Sequence, residues 1–198
     1  MRQYSFCSIK TLSVTLAATA MTFLLPQTTV ASDAMLAKKS CSATNECISP
    51  VGNWLTIDDK TNKPRGVVHI FEKKDAEGNV TLMGSSKFGF YTPNLDWSKT
   101  YTGSYAPFKG KKFGSFPIMW NYQDHGHGHW ADGKIFDSDH NKLYSSKLDL
   151  QDNGNDLKVS GCIAFICRGQ VWHRLDDAQY DYYKQLSLQD IKDHPQGP

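Results

Sequence analysis

The sequence predicts an all-β fold, an antiparallel meander of about eight strands closing into a barrel, with a short C-terminal helix. Three observations carry the prediction. Short apolar or alternating runs recur across residues 51–175, residues that accept positive φ punctuate them, and no helix-length periodicity separates one run from the next. Strands joined by short turns must run antiparallel, because a parallel pair needs a crossover of a dozen or more residues.

The chain begins with a segment that does not belong to the fold. Arg2 and Lys10 bracket a basic start, and Thr11–Leu25 (TLSVTLAATAMTFLL) is an apolar run ending at Pro26. That run is too short to cross a bilayer comfortably, and Thr29-Val30-Ala31 offers the small residues a signal peptidase reads. Residues 1–31 are therefore expected to be a secretory signal peptide, which makes the mature protein exported, periplasmic or secreted, with no transmembrane anchor. The whole chain holds 22 basic and 20 acidic residues; removing Arg2 and Lys10 leaves 20 against 20. Duplex binding needs a cationic face to displace counterions, and the short Lys109, Lys111, Lys112 cluster does not make one, so no nucleic-acid partner is expected.

Residues 32–50 are polar and read as an extended N-terminal arm. Cys7 leaves with the signal, so Cys41, Cys47, Cys162 and Cys167 remain, an even number in an oxidising compartment. The local pairing, Cys41 with Cys47 and Cys162 with Cys167, is favoured because each pair brackets a short segment. It demands a turn within Ile163 to Ile166, since a continuous strand would hold the sulfurs apart. A long-range staple from the arm to the last hairpin is the alternative.

The barrel domain is expected over residues 51–175, with strands at Val51–Ile57, Gly66–Glu72, Val80–Phe90, Phe116–Tyr122, His129–Phe136, Leu143–Leu150, Leu157–Ala164 and Gln170–Leu175. Glu77-Gly78-Asn79, Asp132-Gly133 and Asp152-Asn153-Gly154-Asn155 supply turn chemistry, and Asn153-Gly154 between two alternating runs signals a hairpin. Residues 176–198 form a tail in which Asp176–Asp193 has helical character. Tyr180, Tyr183 and Leu186 or Ser187 recur at helical spacing, and Ser187-x-x-Asp190 has the form of a capping box. Docking on the barrel is the expected role of this helix, because a short helix is marginal without packing partners.

Several stretches taken together resemble a known family. They are Val51-Gly-Asn-Trp54-Leu-Thr-Ile-Asp58-Asp59-Lys60-Thr-Asn-Lys-Pro64, Trp130-Ala-Asp-Gly133-Lys134-Ile135-Phe-Asp137, Lys142-Leu-Tyr144, Leu157-Lys-Val-Ser-Gly161-Cys162 and Gln170-Val-Trp172-His-Arg174. Over residues 50–175 the chain is similar to an exported bacterial family, domain of unknown function 2147. The resemblance implies a lipocalin-like, or calycin-like, antiparallel barrel in the envelope or outside the cell, and no established reaction. Where the family commonly has Asp-Pro followed by Gly-Lys, this chain has Asp137-Ser138 and Asn141-Lys142, so that hairpin should bend differently. Residues 91–112 match poorly. Gly52-x-Trp54 is similar to the opening signature of lipocalins, in which a Trp on the first strand packs at the closed end under a basic residue from the last strand. Arg174 is placed to be that residue, with a structural role: its guanidinium on the indole face would plug the barrel and join its first and last strands. Gly52 would give the chain room beside the ring.

Two segments are candidate sites. From Phe88 to Phe108 seven of 21 residues are aromatic, against 12% overall. Tyr91, Trp97, Tyr101, Tyr105 and Phe108 could form a lid or platform at the open end that stacks on a small apolar or sugar-like ligand, or they could plug the mouth as core. His125, His127 and His129 alternate with Gly126 and Gly128. If extended, they would share one face and could hold zinc or copper, with Asp124 or His140 completing the sphere. As a glycine-rich hairpin loop they would only expose imidazoles.

Catalytic constellations are not found. Asp137-Ser-Asp139-His-Asn141 begins like a calcium loop, but Lys142 stands where the turning glycine belongs and Leu148 where the bidentate glutamate belongs. No nucleophile elbow, phosphate loop or dinucleotide fingerprint occurs. Asp58 and Asp59 would point to opposite sides of an extended chain. The expected function is a non-enzymatic exported barrel that binds a small, partly apolar ligand or an envelope component and needs no cofactor. The alternatives are a structural or protein-interaction module, or a metal-binding protein using the three histidines.

Overall fold

The computed structural model describes residues 49–92 and 100–194. The expected signal peptide, the expected arm up to residue 48, the expected Cys41–Cys47 pairing and Trp97 lie outside the described residues.

Eight antiparallel strands close into a barrel in simple sequence order. They are β1 (Gly52–Ile57), β2 (Pro64–Lys74), β3 (Val80–Gly89), β4 (Pro117–Asp124), β5 (His129–Asp137), β6 (Lys142–Gln151), β7 (Asp156–Ile163) and β8 (Ile166–Leu175), followed by helix α1 (Asp177–Asp193). The meander closes where β1 pairs with β8 through Asn53↔Leu175, Trp54↔Arg174 and Leu55↔His173.

Turn residues sit where left-handed backbone is required. Between β6 and β7 Asp152, Asn153 and Gly154 all have positive φ (47°, 52° and 86°), a conformation that short polar residues and glycine tolerate best. The β7–β8 hairpin turns at Ala164 and Phe165, with Ala164 at φ 52° and Ile163 paired to Ile166. Directly opposite each other one step down, Cys162 and Cys167 are disulfide-bonded. This is the local pairing, with the turn it demands.

Alternation along paired strands divides the apolar side chains into an inward and an outward set. The inward set forms the core: Trp54, Val68, Ile70, Leu82, Met119, Tyr122, Trp130, Leu148, Leu157, Val159 and Trp172 are all buried together. The phase is not uniform. Between Trp130 and Gly133 the β5–β6 register shifts, with Asp132 at φ 61°. The bulge makes room, because a Cβ on Gly133 would stand 2.4 Å from the Tyr122 ring.

Two outward patches are covered rather than exposed. Leu55, Val67 and Phe90 lie under the helix, which contributes Tyr183, Tyr180 and Leu186. Each large side chain so buried contributes roughly 1.5–3 kcal/mol, far more than a helix of this length gains from propensity alone. The spacing read from Tyr180, Tyr183 and Leu186 is therefore the docking face. The cap lies elsewhere than the sequence suggested. Asp176 accepts from the Gln179 backbone N–H while the Gln179 side chain accepts from the Asp176 N–H, closing the capping box one turn before the first tyrosines. Ser187 is inside the helix and fully buried; its hydroxyl donates to the Gly89 carbonyl at 2.7 Å, and Asp190 accepts from the Tyr91 N–H. These two residues moor the helix to the end of β3 instead of starting a helix.

Candidate functional site

One end of the barrel is sealed. Arg174 stands opposite Trp54 across the β1–β8 seam, its guanidinium carbon 4.3 Å from the indole centroid. The same group donates from Nε to the Gly154 carbonyl (2.7 Å), from Nη1 to Val51 (2.8 Å) and from Nη2 to Ser49 (2.6 Å). The Trp54 Nε1–H donates to the Pro50 carbonyl at 2.7 Å. Burial lowers the guanidinium pKa from 12.5 to about 10, so it stays charged at neutral pH. The residue before Trp54 that needs space is explained differently from the expectation. A Cβ at Gly52, whose φ is 135°, would meet the Arg174 Nη1 at 3.0 Å, so the glycine clears the guanidinium and not the ring.

Above this floor the inward face turns polar. Val68 pairs with Ser86, Gly133 with Ser146, and Ser146 with Gly161, which puts both serines on the same inward phase as the core. The hydroxyls of Ser86, Ser146 and Tyr122 are shut off from solvent, and among the described residues none closes a hydrogen bond. Burial pushes the Tyr122 phenol well above its ordinary 10; the Ser146 hydroxyl lies near enough to ease that shift but makes no hydrogen bond of ordinary geometry with it. A buried hydroxyl left unpaired costs about 1–3 kcal/mol. Thr56, on the same inward phase of β1, avoids that cost by donating to the Gly66 carbonyl at 3.1 Å. At the rim, Gln170 donates to Asp59 at 2.9 Å and accepts from the Trp172 indole at 3.3 Å. Sequence reasoning missed Ser86 and Ser146. The usable signal was alternation, since a serine on the inward phase of an otherwise apolar strand needs a partner inside.

The described part of the aromatic segment lies on the outer wall beside the rim. Ile135 faces inward, so Phe136, the next residue, faces out; Tyr101, Phe108 and Phe116 bury themselves against it on the outer wall of β4 and β5. Phe108 stacks on Phe116 with centroids 4.3 Å apart, and Tyr105 lies 4.8 Å from Phe136. The Tyr101 hydroxyl bonds the Asn141 side chain in the β5–β6 turn. Tyr91 lies flat against His194 at 4.1 Å, at the end of the helix. These four tyrosine and phenylalanine positions are structural: Tyr101, Tyr105 and Phe108 upholster a wall, and Tyr91 belongs to the helix mooring. Among the described residues these side chains pack on the outer wall and on the helix end, so the expected lid or plug across the mouth is not formed by Tyr91, Tyr101, Tyr105 or Phe108.

The histidines are likewise separated by backbone. Gly126, His127 and Gly128 all have positive φ (79°, 53° and 74°), so residues 125–128 are a tight loop and not an extended strand with imidazoles on one face. His125 pairs with Asp132 at 2.9 Å and His129 with Asp149 at 2.6 Å. Their rings approach to 5.9 Å, but among the described residues no group of three metal-ligating side chains converges. Asp124 caps the loop by accepting from the Gly126 N–H at 2.7 Å, and His140 pairs with Asp137 on the β5–β6 turn. Neither completes a sphere. The Asp58–Asp59 pair is also accounted for locally, Asp58 by the Lys60 and Thr61 N–H groups and Asp59 by Gln170.

Comparison with known proteins agrees with this geometry. A lipocalin-family protein, HP1028 from the human pathogen Helicobacter pylori, superposes with a TM-score of 0.52 at 16% identity, over 72% of this chain and 98% of its own. At that identity the likeness is one of fold. No curated protein matches the chain. Residues 52–174, from the first residue of β1 to the arginine on the floor, match the family described as uncharacterised proteins conserved in bacteria, DUF2147. The chain belongs to that family, on a closed eight-stranded antiparallel barrel of lipocalin-like fold.

Proposed function

We propose that this protein is an exported, non-enzymatic carrier that holds a small, partly apolar molecule inside the barrel, above the Trp54–Arg174 floor. The observation that carries the reading is the trio of buried, unpartnered hydroxyls on Ser86, Tyr122 and Ser146. Ligand pockets are mostly apolar with a few placed polar groups, and this inner wall has that make-up: Val68, Met119, Ile135 and Val159 around three hydroxyls. Packing of Tyr101, Tyr105 and Phe108 on the outer wall favours the interior over the aromatic segment as the contact surface.

The test is titration with cis-parinaric acid, reading emission sensitised by the core tryptophans Trp54, Trp130 and Trp172, followed by displacement with a panel of fatty acids and small aromatic alcohols. The wild type should saturate and be displaced by at least one class. A Ser86→Leu, Ser146→Leu variant fills the inner wall and should lose the signal while keeping its unfolding midpoint. Equal binding by the filled variant, or no binding by the wild type to any probe, ends the proposal.

A further inference from the structure

Large apolar side chains are exposed at several places, but three of them share one turn and a fourth lies on the adjoining strand. Phe165 is 92% exposed, Ile166 65%, Ile163 61% and Leu143 40%. The first three form the tip of the β7–β8 hairpin, at the end of the barrel opposite the Trp54–Arg174 floor. Extending the β6–β7 register beyond Ser145↔Cys162 brings Leu143 and Lys142 alongside that tip. The Cys162–Cys167 bond ties the two strands immediately below the turn, so the hairpin cannot open to tuck its apolar residues under neighbouring structure. Two chain directions, a covalent staple and a left-handed Ala164 hold Phe165 outward.

Charge at this rim is mixed, and most of its carboxylates are engaged locally. Asp58 and Asp139 pair with Arg65, Asp137 with His140, and Asp59 accepts from Gln170. Lys60, Lys142 and Arg168 are exposed and make no ion pair among the described residues. Arg168, two residues from Ile166 on β8, and Lys142, alongside the tip in the β6–β7 register, set two cations beside the apolar residues, with the Asp59–Lys60 turn beyond them. A convex knob of three or four side chains cannot supply the roughly 800 Å² per partner of a standard protein interface. It does suit a bilayer surface, where an aromatic ring and aliphatic groups enter the headgroup–acyl boundary while neighbouring lysines and arginines meet anionic phosphates.

We infer that the disulfide-stapled tip Ile163–Ile166, with Lys142 and Arg168 beside it and Lys60 beyond them, is a membrane-contact site that sets the open end of the barrel against an anionic lipid surface. The site needs no ligand in the barrel. Flotation of the purified protein with vesicles of phosphatidylcholine alone and of phosphatidylcholine mixed with phosphatidylglycerol tests it. Binding should appear with the mixed vesicles, fall with added salt, and weaken roughly ten- to hundredfold in Phe165→Ser. Arg168→Gln should weaken it about fivefold on mixed vesicles only. Both side chains are exposed, so circular dichroism and the unfolding midpoint should not move. No flotation of the wild type with either vesicle, or unchanged flotation of Phe165→Ser, overturns the inference. So does a dimer in sedimentation velocity that Phe165→Ser dissolves, because the tip would then cover a second copy. Parinaric-acid binding is read separately, so failure at the membrane and failure inside the barrel are distinguishable.

Discussion

Replacing Arg174 by methionine removes more than any other single change on the floor. The guanidinium makes three charge-assisted bonds to carbonyls, between 2.6 and 2.8 Å, and covers the Trp54 face. Hydrogen bonds to a charged donor are worth roughly 1.5–3 kcal/mol each, and a partly desolvated cation–π contact adds roughly 1 kcal/mol. Against this stands the cost of burial, visible in the pKa held down to about 10, and the residual solvent access that lets water reach the freed carbonyls. Methionine also keeps part of the apolar cover on the indole. The expected net loss is about 3 kcal/mol. For a domain of this length the urea dependence is about 1.5–2 kcal/mol per molar, so the midpoint should fall by about 1.5–2 M, followed by tryptophan fluorescence. Arg174→Lys keeps the charge and part of the cation–π contact but cannot reach three diverging carbonyls, and should recover less than half the loss. A midpoint shift below about 0.5 M for the methionine variant would refute the argument, showing that the three carbonyls are solvated as well without the arginine.

Three further outcomes are expected. Replacing both Cys162 and Cys167 by serine opens a bridge of sequence separation 5, for which loop entropy gives a loss of about 2 kcal/mol, measured by thermal unfolding with and without reductant. Ala164→Gly relieves a left-handed alanine at φ 52° and should raise stability by up to about 1 kcal/mol, the relief of strain exceeding the added chain entropy; a destabilised variant would show that the alanine is unstrained. Burial, together with Lys87, holds the His69 pKa below its ordinary 6.5. The unfolded chain therefore binds that proton first on acidification, so His69 removes stability as pH falls through 6.5 toward its folded pKa and nothing further below it. In His69→Gln the difference in urea midpoint from wild type should change sign-consistently across that window and level off at its acid end; a flat difference profile contradicts the assignment.

Much of the barrel was legible because its physics is local. Period-two alternation marks a strand wherever one face is buried, and Asn153-Gly154 or the Ile163–Ile166 turn announces itself by the backbone it must adopt. The floor was legible through resemblance: the likeness of Gly52-x-Trp54 to the opening of lipocalins implies a basic residue from the last strand over the indole, and Arg174 stands there. What escaped depended on phase. Positive φ at Asn121 and Asp132 marks irregularities that shift the inward–outward alternation on β4 and β5, so the outward turn of Phe136 does not follow from counting residues. The aromatic segment was recognisable as a packing element, but the wall on which it packs is a tertiary fact. The capping box was misplaced because Asp176-x-x-Gln179 and Ser187-x-x-Asp190 satisfy the same pattern, and only burial of Ser187 against Gly89 separates them. The histidine reading assumed extended backbone across two glycines, and the left-handed loop removed it.

The seam that closes the barrel also bears on how the chain reaches its native state. Only three residue pairs join β1 to β8, and the Arg174 bonds across it span sequence separations of 123 and 125. Every other strand pair is made by neighbours in the chain and can form by local search, whereas this one must wait for nearly the whole domain to be in place. Closure is thus the late event, and contacts made late act on the rate of opening more than on the rate of folding. In a chevron plot Arg174→Met should lift the unfolding limb and leave the refolding limb almost unmoved. The clasp on the floor is a latch whose worth is counted in the lifetime of the closed barrel.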